Sequence, residues 1–150
     1  MDTVMDIPAL KKMLQDSVVL HASKEHSPLT AQWRVSVVGS DFVNRRFTFS
    51  FRAEEDMRNP LGTLHGGMSA GMIDTAMGMT AYCFTRDRQP AFTSELSISY
   101  LRPVLLPAAL HVTVTVLRAG GHLIFLRADM FSPEAPEQIL VSAKGTFYGK

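Results

Sequence analysis

The stretch HGGMSAGMIDTAMGMTAYCFT, residues 65–85, decides the fold because it predicts a long helix that is apolar on nearly every side. Its one charged residue is Asp74, and it carries four glycines. A helix without a polar face has to be surrounded by protein, and an ionised Asp at the centre of a bilayer is costly. We therefore expect a buried helix over about residues 67–84, with no membrane span, and a strongly curved sheet wrapped around it.

Strand patterns flank this helix on both sides. Upstream, apolar and polar residues alternate over residues 31–37 and 46–52, which predicts a hairpin that turns at residues 38–41. Residues 3–26 show helical spacing of apolar residues and end before Pro28. Four further strands are expected downstream, at residues 92–101, 111–117, 123–131 and 139–148.

The order of these elements predicts the fold class. Strands that follow one another through short turns favour an antiparallel sheet, and helices segregated from it give class α+β. With 150 residues, we expect a single domain over residues 1–150, with residues 1–28 as an N-terminal helical extension. Because the open edges and one face of such a sheet need a cover, the pattern favours a homo-oligomer.

Composition excludes several classes of protein. The chain is 46% apolar and 19% charged, which supports a packed core. Its net charge of +1, without a basic cluster, argues against a nucleic-acid partner. A single cysteine, Cys83, excludes an internal disulfide, and the N-terminus lacks a signal-peptide pattern, so we expect a cytoplasmic protein.

Candidate chemistry lies around the start of the long helix, in Asn59-Pro60-Leu61-Gly62-Thr63-Leu64-His65-Gly66-Gly67, and at Asp74. The first N–H groups of a helix lack internal partners and carry partial positive charge. They can stabilise an oxygen that becomes anionic in a transition state, and the two glycines permit close approach of a ligand. Asp74 has small or apolar helical neighbours and is the candidate base or nucleophile.

The spacing of His65 and Asp74 predicts a site shared between two chains. Nine residues of helix correspond to about 13 Å, whereas a base and an oxyanion donor must both lie within about 3 Å of the reacting atoms. Asp74 therefore cannot serve the N-terminus of its own helix. Two antiparallel helices related by a two-fold axis would each lend Asp74 to the His65-Gly66 end of the other.

Each feature taken alone also has a structural explanation. The glycine pair can serve a tight turn, His65 can cap the helix, and Asp74 can be hydrogen-bonded within the fold. Four other histidines lack metal-ligand spacing, so we expect surface or strand positions for them and no metal site: His21, His26, His111 and His122. Cys83 and most of the nine methionines are interpreted as core.

The combination resembles the hotdog-fold acyl-CoA thioesterases of the phenylacetate-pathway (PaaI) type over about residues 30–148. The resemblance depends on Asn59-x5-His65-Gly66-Gly67, on Asp74, and on the segment Thr93-Ser94-Glu95-Leu96-Ser97-Ile98-Ser99-Tyr100-Leu101-Arg102-Pro103. It implies hydrolysis of an acyl-CoA to a carboxylic acid and free CoA. A related branch places Glu at the acid position and Thr one turn later, where this chain has Asp74 and Gly78, so that branch's aromatic substrate is not carried over.

The resemblance also implies roles for site residues. Beside His65, the Gly66 N–H would polarise the thioester carbonyl, and Asn59 would orient the carbonyl or the water. Asp74 of the partner subunit would act as general base or nucleophile, and Thr93 would help to hold the water. Substrate-binding candidates are Gly67 at the helix start, Met68, Met72, Met77 and Phe92 as an acyl wall, and Arg102, Arg118 and Lys144 for the CoA phosphates.

No cofactor and no metal are expected, because CoA enters as part of the substrate. The expected assembly is a homodimer with shared sites, further associated as a tetramer. Two alternatives stay open: a hotdog-fold hydratase or dehydratase acting on acyl thioesters, and a non-catalytic acyl-CoA-binding protein. An enoyl-CoA substrate separates the enzymes, since hydrolysis releases thiol and hydration does not.

Overall fold

A 17-residue helix lies across one face of an antiparallel sheet of six strands in the computed structural model, which describes residues 6–149. The helices are α1 (Ile7–Ala22), α2 (Pro28–Ala31) and α3 (Gly66–Tyr82). The strands are β1 (Ser36–Asp41), β2 (Arg46–Ala53), β3 (Ala91–Tyr100), β4 (Ala108–Gly120), β5 (Leu123–Phe131) and β6 (Ile139–Gly149). Short 3-10 turns occupy Glu55–Met57 and Arg86–Arg88.

The sheet has the strand order β1-β2-β4-β5-β6-β3, so β1 and β3 are its edges. β3 follows α3 in the chain but pairs with β6, the last strand. A bulge interrupts this pairing between Thr93 and Glu95. Within residues 6–149, the outer edge of the ten-residue strand β3 has no strand beside it.

The core lies between α3 and the curved sheet. α3 contacts β2, β3, β4, β5 and β6, and the side chains of Met72, Ile73 and Met77 are fully buried. Opposite them, β6 alternates buried Val141, Ala143 and others with more exposed residues, as a sheet with one covered face requires. The expected α+β class, with a long apolar helix wrapped by an antiparallel sheet, is confirmed. None of the helices within residues 6–149 meets the length and hydropathy needed to cross a membrane.

The predicted first strand at residues 31–37 is wrong. Pro28–Ala31 forms α2, turns follow, and Arg34 has a positive φ of 49°. Trp33 and Val35 are buried, so the period-2 pattern marked burial correctly, but a left-handed residue between them turns the chain instead of extending it.

The predicted hairpin turn at residues 38–41 is also wrong, since β1 continues to Asp41. The Asp41 carboxylate accepts hydrogen bonds from the backbone N–H of Asn44 at 2.9 Å and from its side-chain amide at 2.6 Å. These bonds fix the turn after Asp41 because Asp readily organises the backbone two or three residues further on.

The N-terminal helix is shorter than the predicted range of 3–26; residues 3–5 of that range lie outside the described residues. α1 begins at Ile7, after Asp6, whose side chain accepts the N–H of Ala9. It ends at Ala22, and Ser23 is extended with its hydroxyl 3.0 Å from Nδ1 of His26. Local side-chain hydrogen bonds of this kind compete with the helix and explain the early end.

Candidate active site

His65 caps the N-terminus of α3. Its Nδ1 accepts the N–H of Gly67 at 2.9 Å, and its carbonyl accepts the N–H groups of Met68 and Ser69. The ring nitrogen thus takes the place of the side-chain oxygen that usually caps a helix. Since Nδ1 accepts, the neutral imidazole carries its proton on Nε2.

The N–H of Gly66 stays open. Within residues 6–149, nothing accepts a hydrogen bond from it. The Gly66 carbonyl accepts the hydroxyl of Tyr100 at 2.9 Å, which ties the start of α3 to the end of β3. A Cβ at position 66 would lie 3.3 Å from the Tyr100 ring, so glycine permits this close contact. One outward N–H with partial positive charge is therefore available to a ligand at the start of α3.

Asn59 organises the loop before α3. Its Oδ1 accepts the N–H groups of Leu61 and Thr63, and its Nδ2 donates to the Thr63 hydroxyl at 3.0 Å. Gly62 completes the turn with a φ of 81°, a conformation that favours glycine. The amide oxygen of Asn59 is thus occupied within the loop, while Nδ2 has a second hydrogen that can reach a ligand.

A first cleft of about 330 Å³ opens at this end of α3. Asn59, Gly66 and Tyr100 line it together with Arg102. Arg102 donates from Nη1 to the carbonyl of Ile139 at 2.6 Å and is otherwise exposed. This cleft, called the Gly66 cleft below, is lined both by Gly66 with its open N–H and by the cation Arg102.

Asp74 lies two turns along α3, and Thr93 holds it. The Thr93 hydroxyl donates to Oδ1 of Asp74 at 2.7 Å, and within residues 6–149 no group donates to Oδ2. Asp74 is half-buried on a partly open stripe of α3 that also contains Ala70, Gly71 and Gly78. One carboxylate oxygen is therefore fixed and the other can take a proton or attack a carbon.

A second cleft of about 450 Å³ surrounds this carboxylate and is called the Asp74 cleft. Asp74, Thr75, Gly78 and Tyr82 come from α3, and Thr93 and Phe147 come from the sheet. The N-terminal helix closes the cleft with Asp16, Ser17, Leu20 and His21. The two clefts share no lining residue.

The other predicted binding residues are scattered. Met72 and Met77 are fully buried in the core, Met68 is half-buried, and Phe92 is 59% exposed; none of the four lines either cleft. Gly67 uses its N–H for the His65 cap. Arg118 and Lys144 are exposed and line neither cleft. Their predicted roles stay predictions.

Several residues that line these clefts were not among the predicted site residues, and Tyr100 and His21 are the two that matter most for the site. Tyr100 was visible in the sequence only as a residue of the Tyr-Leu-Arg-Pro segment, and its contact with Gly66 depends on strand order. His21 was expected at the surface or on a strand, but it lies half-buried at the end of α1 beside the Asp74 cleft. Its helical spacing of four residues from Ser17 was the available signal.

Cys83 is a buried residue of the core. Its Sγ lies 3.5 Å from the carbonyl of Met79, and burial raises the pKa of the Cys83 thiol to about 12. A thiol with so high a pKa is a poor nucleophile at neutral pH. Among the side chains that the structure describes, no three His, Cys, Asp or Glu residues cluster as metal ligands would.

Solved structures share this architecture. PaaI from the phenylacetic acid degradation operon of E. coli superposes with a TM-score of 0.77 and 17% identity, covering 94% of this chain and 96% of that one. Thioesterase superfamily member 2 from Mus musculus gives a TM-score of 0.73 and 20% identity, covering 99% and 98%. These likenesses establish the hotdog fold.

Sequence relatives point to one family. Acyl-coenzyme A thioesterase 13 of Homo sapiens is 33% identical over 79 residues, which are 53% of this chain and 56% of that protein. Proofreading thioesterase EntH of Cronobacter turicensis is 30% identical over 100 residues, 67% and 64% of the two chains. The alignment with acyl-coenzyme A thioesterase 13 thus spans little more than half the length of that relative. The family model described as the thioesterase superfamily matches residues 61–138, more than half of the 150 residues, and the chain belongs to that superfamily.

Proposed function

We propose that this chain hydrolyses the thioester bond of an acyl-CoA and releases a carboxylic acid and free CoA. The observation that carries the proposal is the unpartnered N–H of Gly66, which opens into a cleft at the N-terminus of α3. Charge develops on the carbonyl oxygen when a thioester is attacked, and a fixed helix N-terminus stabilises that charge without reorganising. Relatives named as thioesterases support the same reaction.

The acid of each site comes from the partner subunit. Gly66 and Asp74 are eight residues apart on one helix, about 12 Å along its axis, and they line separate clefts. Donor and base must both lie within about 3 Å of the reacting atoms. We therefore assign to each active site the Gly66 cleft of one subunit and Asp74 of the partner subunit.

Pairing of the open edges of β3 from two subunits would bring the Asp74 cleft of one subunit to the Gly66 cleft of the other. Thr93, near the beginning of β3, contacts Asp74, and Tyr100, at its end, contacts Gly66. If two β3 strands pair antiparallel about a two-fold axis, the beginning of one strand lies opposite the end of the other. The Asp74 cleft of one subunit then faces the Gly66 cleft of its partner.

The register of this pairing follows from β6. Thr93 pairs with Phe147 and Tyr100 with Val141, so Ser97, which pairs with Lys144, lies midway once the bulge is counted. A two-fold axis perpendicular to a sheet places one residue opposite its own copy. We assign that position to Ser97, and Tyr100 then lies opposite the Thr93–Glu95 bulge of the partner strand.

Hydrolysis at such a site needs no reactant other than the acyl-CoA and water. The Gly66 N–H holds the thioester carbonyl oxygen, and Asp74 of the partner subunit either takes a proton from water as the water attacks or attacks the carbon itself. In the first route, the C–S bond then breaks and the CoA thiolate receives the proton from Asp74. In the second route, the thiolate leaves as an acyl–Asp74 anhydride forms, and the water that hydrolyses this anhydride supplies the proton for the thiolate. Thr93 keeps Oδ1 of Asp74 fixed, so Oδ2 faces the substrate.

Arg102 is the cation that we assign to the CoA phosphates, because it lines the Gly66 cleft. Outward-facing Leu123, Phe125 and Tyr148 leave apolar area on the face of the sheet away from α3. This area supports further association of dimers into a tetramer. The single cysteine supports a cytoplasmic location.

Thiol release from a panel of acyl-CoAs tests the activity. The panel spans aliphatic chain lengths and phenylacyl-CoAs, and the enzymes are the wild type, Asp74→Asn and the control Asp56→Asn, an exposed carboxylate that lines neither cleft. We expect Asp56→Asn to match the wild type and Asp74→Asn to lose at least about a hundredfold in kcat/KM. No thiol release from any substrate would contradict the proposal.

Two outcomes of that assay would favour the alternatives. Conversion of an enoyl-CoA to a hydroxyacyl thioester without thiol release would indicate a hydratase. Tight binding of acyl-CoA without turnover would indicate a binding protein. Either result would overturn hydrolysis as the function of the Gly66 cleft.

A further inference from the structure

His21 is the histidine of the N-terminal helix that borders the Asp74 cleft. It occupies the last turn of α1 and is half-buried, whereas the nearby His26 is exposed. α1 packs against α3, so the imidazole and the Asp74 carboxylate line one space from neighbouring helices. The N-terminal helix therefore brings a titratable group to the candidate base.

Thr30 fixes which nitrogen of His21 carries the proton. The buried Thr30 hydroxyl lies 2.6 Å from the carbonyl of His21 and 3.3 Å from its Nδ1. The Thr30 hydroxyl also lies 2.6 Å from the Ser27 hydroxyl, which can donate to it, whereas the His21 carbonyl only accepts; with the Thr30 proton on that carbonyl, Nδ1 is a donor to Thr30. In the neutral imidazole, Nε2 is then the unprotonated nitrogen, and a proton taken up in mild acid binds there.

Among the described side chains, the ionisable groups that line the cleft with His21 come from three elements. Asp16 lies on α1, Asp74 and Tyr82 on α3, and Arg88 on the 3-10 turn before β3; all line the same cleft. Burial lowers the pKa of His21 below its ordinary 6.5, and the charge of Asp74 opposes that shift. His21 is therefore neutral at pH 7 and becomes charged as the solution turns acidic.

We propose that His21 is a positioning residue that sets the acid limit of the reaction: protonated at Nε2, it places a positive charge in the cleft of Asp74 and weakens that carboxylate as a base or nucleophile. The inference rests on the proposed thioester hydrolysis. An opposite charge favours the ionised form of a carboxylate, so the carboxylate binds a proton or an electrophilic carbon less readily. The neutral imidazole of His21 places no positive charge beside Asp74, so the carboxylate is not weakened as a base or nucleophile.

An NMR titration tests the coupling without any assay of activity. The ring signal of His21 is identified by its loss in His21→Gln and is followed with pH in the wild type and in Asp74→Asn. Because the Asp74 charge raises the pKa of His21, we expect the signal of Asp74→Asn to titrate at lower pH than that of the wild type. Identical titration curves would overturn the inference, whatever the enzyme does.

The pH profile of kcat/KM tests the consequence. Gln can donate to Thr30 but takes up no proton, so His21→Gln should keep more of its rate in acid. The fraction of the pH 8 rate that remains at about pH 5.5 is expected to be about threefold larger than in the wild type, as for a limb displaced by about half a pH unit. His26→Gln is the control and should follow the wild type.

The outcomes separate the two proposals. If no thiol release is found but Asp74→Asn moves the His21 titration, the hydrolase proposal fails and the coupling stands. If hydrolysis is found and His21→Gln has the acid limb of the wild type, His21 does not set that limb and the inference is wrong. A rate lowered equally at every pH in His21→Gln would indicate a packing role and would likewise contradict it.

Discussion

The His65 side chain accepts the N–H of Gly67 in the first turn of α3, and within residues 6–149 the N–H of Gly66 has no acceptor. The His-Gly-Gly run predicted a helix start that can stabilise an anion. A histidine at that position can cap the helix, donate a hydrogen bond to a ligand or act as a base, and the side-chain rotamer determines which of these it does. Asn59 shows the same limit: its spacing suggested a site residue, and the structure shows that its side chain also forms hydrogen bonds with Leu61 and Thr63 within its own loop. Residue types indicated where the candidate site lies, while the hydrogen-bond partners of each side chain depended on geometry.

The hydrogen bond from Thr93 to Asp74 is expected to matter for the reaction rate. Thr93→Val removes the donor to Oδ1 while keeping the shape, so the carboxylate loses its fixed orientation. We expect kcat to fall about tenfold, as for one lost hydrogen bond to a charged group, with KM little changed. Thr93→Ser should restore most of the rate. Steady-state kinetics check this, and equal rates for Val and wild type would show that Thr93 does not orient Asp74.

His21 makes a second prediction, on stability. Its pKa is lowered in the folded state, so the unfolded chain binds more protons as the pH falls below the ordinary 6.5. Above pH 6.5, the lowered pKa of His21 therefore leaves the free energy of unfolding unchanged. As the pH falls from 6.5 towards the lower pKa of the folded state, it reduces that free energy progressively. Urea unfolding should show a smaller loss between pH 7 and about pH 5 in His21→Gln than in the wild type. Parallel curves would contradict the burial of His21.

At the scale of elements, α3 was the most predictable part of the molecule because its apolar run determines its environment. The first hairpin was less predictable, since period-2 burial of Trp33 and Val35 is satisfied equally by a turn. The sequence did not predict the order of the strands in the sheet. β3 crosses to pair with β6, and nothing local in either strand specifies that long-range choice.

Two glycines of α3 provide a matched test of its packing. A Cβ at Gly71 would lie 2.9 Å from the buried ring of Trp33, whereas one at Gly78 would lie 3.5 Å from Phe147. Gly71→Ala should lower the free energy of unfolding by about 1–3 kcal/mol through overpacking. Gly78→Ala should raise it by about 0.5–1 kcal/mol through helix propensity. Urea unfolding measures both, and equal stability of the two variants would contradict the packing of Trp33 on α3.

At the scale of the whole molecule, the separation of Gly66 and Asp74 on one helix was readable from spacing alone. That separation predicts a dimer with shared sites without reference to strand order. The sequence did not predict the β3 pairing that we propose, because that proposal depends on β3 lying at the edge of the sheet with its two ends at the two clefts.

A crosslink tests that route. In the proposed pairing, Ser97→Cys places a thiol opposite its own copy across the two-fold axis, within the Cα separation of about 4.4–6.8 Å that a disulfide needs. Oxidation should therefore give covalent dimers on a non-reducing gel. Ser99→Cys is the control, since its copy would lie about four strand positions away, or roughly 13 Å. Crosslinking of Ser99→Cys in place of Ser97→Cys would indicate a different register.

A mixed-dimer experiment tests the shared site most directly. Gly66→Pro removes the open N–H at the first position of α3, where proline is tolerated, and His65 already has the extended backbone that precedes proline, with φ −60° and ψ 131°. Gly66→Ala adds the same Cβ but keeps the N–H, so it serves as the control that isolates the N–H. Gly66→Pro and Asp74→Asn are each expected to be inactive as homodimers.

Chains of Gly66→Pro and Asp74→Asn, unfolded together in equal amounts and refolded, should regain about a quarter of the wild-type thiol-release rate. Half of the randomly mixed dimers pair the two variants, and each such dimer has one of its two sites intact, with Gly66 from one chain and Asp74 from the other. Recovery near that level is the result we predict. A mixture as inactive as its parents, although native mass spectrometry shows mixed dimers, would contradict a site built from two subunits.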